Sequence, residues 1–96
     1  MTAFQDHVAA RRYHQDFPDA EGEDRRVWAE YVARGKTRVI LHVEAAPALR
    51  GTGAASTFMQ SLAEHARAEG LKLEPICSYA MLWLKRHPEY ADVLGS

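Results

Sequence analysis

The chain holds one cysteine, Cys77, in 96 residues, so no disulfide can close within it. An isolated thiol fits a reducing compartment, and a cytoplasmic location is expected. Formal charge sums to −1 with both signs scattered. Nucleic-acid binding needs a basic face that displaces condensed counterions, and this scatter argues against one. No apolar run approaches the roughly 20 residues that cross a bilayer, so no membrane partner is expected. Met1 to Arg12 has no apolar core of the signal-peptide kind. The five histidines share no metal-ligand spacing and one cysteine cannot complete a zinc set, so no metal is expected. Repeats, low-complexity tracts and linkers are also missing, and the length matches a single domain over residues 1–96.

What is present is the composition of an ordinary soluble globule, 47% hydrophobic and 26% charged, enough for one modest core and no deep cavity. The first half reads as β. Val8–Phe17 predicts a charged strand ending at Pro18, and Asp19–Asp24 an acidic turn. Arg26–Arg34 alternates, with Val27, Ala29, Tyr31 and Ala33 on one side and Trp28, Glu30 and Val32 on the other. Helix is the competing reading there, because Ala and Glu suit it. Gly35-Lys36 predicts a tight turn into an antiparallel hairpin with Thr37–Glu44. Val39-Ile40-Leu41-His42-Val43 is apolar enough to predict a central strand covered on both faces, and Pro47 marks its end.

The second half reads as mostly α. Ser56–Glu69 predicts an amphipathic helix, with Ala55, Phe58, Met59, Leu62 and Ala66 inward and Gln60, Glu64 and Arg67 outward. Gly70 stops it, and Leu71–Ile76 follows as a short strand. Tyr79–Arg86 predicts a second helix capped by Ser78, and Pro88 opens a last turn through Val93. Strand, helix and strand over Val39–Ile76 make a right-handed βαβ unit with parallel strands. The expected fold is therefore α+β, with a mixed sheet that is antiparallel at its N-terminal strands, a βαβ unit and a C-terminal helix.

The functional lead is Arg50-Gly51-Thr52-Gly53-Ala54-Ala55, placed between strand and helix. Two glycines let main chain approach a ligand closely, and a helix start offers unpaired N–H groups to an anion such as a diphosphate. With His42-Val43-Glu44 and Pro47-Ala48-Leu49 before it, this stretch resembles the GNAT superfamily of acyl-CoA-dependent N-acetyltransferases, in its short single-domain branch. Arg50, Gly53 and Ala55 fill the superfamily's pattern of Arg or Gln, two open positions, Gly, one open position, then Gly or Ala. A second block agrees in order, Pro75-Ile76-Cys77-Ser78-Tyr79 and then Leu84 to Tyr90, so the resemblance spans about Thr37 to Leu94. Ala54 stands where a larger aliphatic residue is common, and Ala55 replaces the more usual glycine. The helical region that shapes the acceptor site in longer relatives has no counterpart here.

The resemblance implies a minimal GNAT-like fold and acetyl-CoA as co-substrate. Main-chain N–H groups of Gly51, Thr52, Gly53, Ala54, Ala55 and Ser56, beside Arg50, would hold the CoA diphosphate. The strand ending near Val43 and Glu44 would splay from the one near Ile76, and the pantetheine arm would fill the gap like an added strand. Glu44 then sits where a base can take a proton from an amine, although a solvated strand-end carboxylate is the plainer reading. His42, on a strand face with Ile40 and Glu44 by alternation, would relay a proton or serve structure alone. Cys77 precedes a helix whose field favours thiolate, which allows an acetyl-cysteine intermediate; a small packed side chain is the alternative. Tyr79 would protonate the departing thiolate or simply pack. Trp28, Trp83 and Phe58 read as core, and Lys85 and Arg86 as phosphate contacts or an exposed helix face.

The expected activity is transfer of acetyl to an amine by direct attack, with a main-chain N–H near Val43 polarising the carbonyl. A CoA-binding module with little transfer, or a plain interaction domain, competes with it. The sequence names no acceptor, and a shallow site leaves room for a second subunit of a homodimer to complete it.

Overall fold

Five strands lie in one sheet in chain order, and the structure, a computed structural model, describes residues 1–95 of the chain. They are β1 (Gln5–His7), β2 (Arg12–Pro18), β3 (Asp24–Arg34), β4 (Thr37–Ala45) and β5 (Lys72–Pro75). Helix α1 (Ala54–Glu69) joins β4 to β5, and α2 (Ser78–Arg86) follows β5. Neighbours from β1 to β4 run antiparallel, while β4 and β5 run parallel. The expected α+β architecture and its βαβ crossover are thus present. No described helix is long and apolar enough to cross a membrane.

The N-terminal reading needs correction. Val8–Phe17 is not one strand: a 3-10 turn at Val8–Ala10 and a left-handed Arg11 (φ +55°) fold it back, so β1 and β2 pair as a hairpin. Val8-Ala9-Ala10 has no alternation to keep a strand going, and the Arg11 carbonyl accepts the Tyr31 N–H at 3.0 Å, which anchors the turn on β3.

Alternation in β3 sends Val27, Ala29 and Tyr31 into the core. There they meet Tyr13 and Phe17 of β2, Phe58, Met59, Leu62 and Ala66 of α1, and Ala80, Trp83 and Leu84 of α2. Tyr13 and Tyr31 stack at 4.4 Å, and the Tyr31 hydroxyl donates to Asp6 Oδ1 at 2.7 Å. Burial first, then that bond to an anion, pushes the Tyr31 phenol up to about 12. Both helices share this core, so the opposite sheet face stays open. Trp28 lies there half-buried under the Arg12 guanidinium at 5.7 Å, and is not the core residue expected.

The same openness corrects the reading of β4. Val39 and Ile40 are buried, but Leu41 is 44% exposed, so the strand is not covered on both faces along its length. Pairing with β3 also slips: Tyr31 faces Ile40 and Glu30 faces His42, leaving Leu41 unopposed as a β-bulge. That extra residue turns the rest of the strand over. Ile40 points to the core, whereas His42 and Glu44 stand on the open face opposite Glu30 and Trp28. The face that simple alternation gives to His42 and Ile40 together does not exist.

Pairing with β5 covers only Thr37–Ile40 against Lys72–Pro75. The Ile76 and Cys77 N–H groups then both donate to the Ile40 carbonyl, at 2.9 and 3.1 Å, and the chain turns away into α2. His42–Ala45 keeps β3, and none of Leu41–Ala45 has a β5 partner. On the far margin of β5, the Gly95 N–H donates to the Leu73 carbonyl at 2.7 Å, and Pro75 carries no N–H.

Candidate functional site

Immediately after β4, Pro47–Leu49 forms a 3-10 turn, and the chain reaches α1 through Gly51 (φ +79°) and Gly53 (φ +80°). Residues with a Cβ avoid that region, so the two glycines are required by the path of the turn. Thr52 holds it from within: its hydroxyl donates to the Leu49 carbonyl at 2.6 Å and accepts the Ala54 N–H at 3.2 Å. Helix α1 begins at Ala54, two residues earlier than the apolar pattern indicates, because Gly53 serves as its N-cap. The first helical hydrogen bond runs from the Thr57 N–H to the Gly53 carbonyl at 3.1 Å.

Four main-chain donors are left over. Among the described residues, the N–H groups of Gly51, Gly53, Ala55 and Ser56 have no partner within the chain. No acidic side chain stands in the first turn of α1 and no side chain caps it. Most helix starts supply their own acceptor; this one leaves its positive end open to an anion from outside.

These donors line a cleft of about 450 Å³, in which Glu44, Arg50, Gly51, Gly53, Ala54, Ala55, Ser56 and Tyr79 come together. Ala45, Ala46, Pro47 and Leu49 complete its wall; Pro47 and Leu49 belong to the stretch that carries the resemblance, and Ala45 and Ala46 give no signal of their own in the sequence. The other expected residues stand apart. Thr52 points into its own turn. Val43 is half-buried against the core. His42 Nε2 lies 3.5 Å from Glu44 Oε2 on the open face, both side chains 52% exposed. Cys77 is the N-cap of α2, half-buried against the core and outside the cleft wall. Ser78 is therefore the first helical residue and not the cap expected; no side chain caps α2.

Tyr79, in the first turn of α2, is 40% exposed. Burial raises its phenol above the ordinary 10, with the neighbouring Cys77 sulfur adding to the shift. The hydroxyl accordingly keeps its proton at neutral pH and is a donor.

A larger groove, about 530 Å³, runs beside β5 between Pro75, Ile76, Met81 and Leu94. Its charged groups are Lys85 and Glu74, and Glu74 is already paired with Arg34 at 2.7 Å. It offers no row of unpaired main-chain donors; those lie in the smaller cleft. No group of three or more His, Cys, Asp or Glu side chains is placed to hold a metal among the described residues.

A mixed sheet whose β4 and β5 part beside a helix start with unpartnered N–H groups defines the class of the fold, an α+β protein. The chain belongs to the GCN5-related N-acetyl-transferase family, whose profile matches residues 13–93. It is similar to the solution structure of a GCN5-like candidate N-acetyltransferase from Staphylococcus aureus, with a TM-score of 0.67 at 21% identity. The match covers 97% of this chain and 87% of that one, and it shows the fold. Among curated proteins, none matches the sequence.

Proposed function

We propose that the protein moves an acetyl group from acetyl-CoA to an amine. The observation that carries the reading is the meeting of Glu44, the four unpartnered N–H groups and Tyr79 around one cleft. The diphosphate sits on the Gly51–Ser56 turn, near Arg50. From there the pantetheine arm runs along the unpaired edge of Leu41–Ala45, using main-chain hydrogen bonds as an added strand would.

The amine nitrogen attacks the thioester carbonyl carbon and the C–S bond breaks. An alkylammonium has a pKa near 10.4, so a base is needed at neutral pH, and Glu44 takes the proton directly or through water. Tyr79 returns a proton to the departing thiolate. Direct attack is favoured over an acetyl-Cys77 intermediate because Cys77 packs against the core and is not part of the cleft wall. Most of the acceleration comes from holding two reactants in line, which an open site of this size can do.

Thermal unfolding with and without acetyl-CoA tests the reading. A ligand at 100 times its dissociation constant adds about 2.7 kcal/mol to stability. Wild type should shift, and Gly53→Val should fold without shifting, because a β-branched residue at this φ distorts the turn. No shift for wild type at millimolar acetyl-CoA refutes the assignment. A shift without thiol release against any amine leaves a CoA-binding module.

A further inference from the structure

Ser56 is the third residue of α1 and lines the cleft. Its Oγ accepts a hydrogen bond at 2.8 Å from the Trp83 indole N–H, which comes from α2, 27 residues further along. An indole nitrogen donates only, so the hydroxyl must act as acceptor toward Trp83 and its own proton remains to be placed. A helical hydroxyl can turn back to the carbonyl four residues earlier. The next residue does this: Thr57 Oγ1 donates to the Gly53 carbonyl at 3.3 Å. Ser56 makes no such bond among the described residues. Its proton is unused, beside the unpartnered N–H groups of Ala55 and Ser56 itself.

Trp83 is well placed to impose that polarity. It is 6% exposed, stacked on His87 at 3.8 Å and 12° and on Tyr90 at 5.6 Å, and His87 Nδ1 lies 2.7 Å from its carbonyl. We propose that Trp83 is a positioning residue: it fixes the Ser56 hydroxyl as an added donor to the diphosphate of CoA, supplementing the main-chain cradle. The proposal rests on the acetyl-CoA reading and adds a specificity element to it. Helix α2 then serves both ends of the co-substrate, with Tyr79 at the thioester and Trp83 acting through Ser56 at the diphosphate.

The test compares acetyl-CoA with acetyl-pantetheine, which carries the same thioester and no diphosphate. Ser56→Ala should raise KM for acetyl-CoA about tenfold, and Trp83→Phe about three- to tenfold, with kcat within twofold and acetyl-pantetheine kinetics unchanged. In a Ser56→Ala background, Trp83→Phe should add nothing, and Ser56→Thr should recover most of the affinity. Equal losses on both substrates, or a further loss in the Ser56→Ala background, make Trp83 a packing residue and overturn the proposal. Should Trp83→Phe fail to fold, the indole N–H resonance of Trp83 in the unaltered protein decides. It should move on titration with CoA and stay still with pantetheine; no movement at saturating CoA overturns the proposal. If unaltered protein binds no CoA at all, the acetyl-CoA reading itself has failed and this inference goes with it. Binding that Gly53→Val abolishes and Ser56→Ala spares fails the inference alone.

Discussion

Through Thr37–Ile40, β4 has β3 on one side and β5 on the other; past the unopposed Leu41 it keeps β3 through His42–Ala45 and has no strand in the place of β5. The paired half buries Val39 and Ile40 and carries the stacked Tyr13 and Tyr31 beside it. The unpaired half exposes Leu41, His42 and Glu44 and runs into the Gly51–Gly53 turn. Two local events separate them: an unopposed Leu41, and the double hydrogen bond from Ile76 and Cys77 to one carbonyl. The comparison shows that a gap in a sheet can be made by ending a ladder early, with no added loop or domain. The paired half supplies rigidity and the unpaired half supplies vacant hydrogen-bonding capacity.

The sharpest way to break this contrast is to delete Leu41. Deletion removes the unopposed residue without turning any other side chain over, so β4 can run straight on against β5. Turnover should fall by about 10³-fold or more, with thermal unfolding close to wild type, because the reactants lose their alignment. Full activity in the deletion variant would mean the bulge is incidental. Glu44→Gln acts only on the open half. It should lower kcat about 10²-fold and leave the dissociation constant for acetyl-CoA within twofold, as removal of a general base predicts. Titration calorimetry beside a thiol-release assay separates the two quantities.

Tyr79→Phe should cost less, about tenfold in kcat, since the departing thiolate can also take its proton from water. The smallest effect belongs to the paired half. Tyr31 has its phenol raised from 10 to about 12, so the stability it contributes is complete below pH 10 and is lost as pH climbs through 12. The urea midpoint should hold steady up to about pH 10 and then fall, and Tyr31→Phe should make that fall shallower. A midpoint independent of pH across this window removes the account of the tyrosine stack.

The sequence made the paired half easy to read. Val27, Ala29 and Tyr31 alternate cleanly, Gly35-Lys36 marks the hairpin, and Phe58, Met59, Leu62 and Ala66 follow helical spacing into the core. The unpaired half was legible where chemistry dictates residue type, as in Gly51 and Gly53, and hidden where register matters. Nothing in Val39–Val43 announces a bulge, because an apolar Leu41 suits a buried strand as well as an exposed one, and so His42 was placed on the wrong face. Trp28 illustrates the same limit: a large aromatic reads as core until the sheet is found to carry both helices on its other side. The Trp83–Ser56 bond joins residues 27 apart through tertiary packing, and local sequence carries no signal for it.

The margin of β5 has a consequence for how the molecule behaves in company. A proline nitrogen and a carbonyl already taken by Gly95 leave a foreign strand little to zip onto at this edge of the sheet. The vacancy lies instead along β4, beyond the point where the chain leaves β5 for α2.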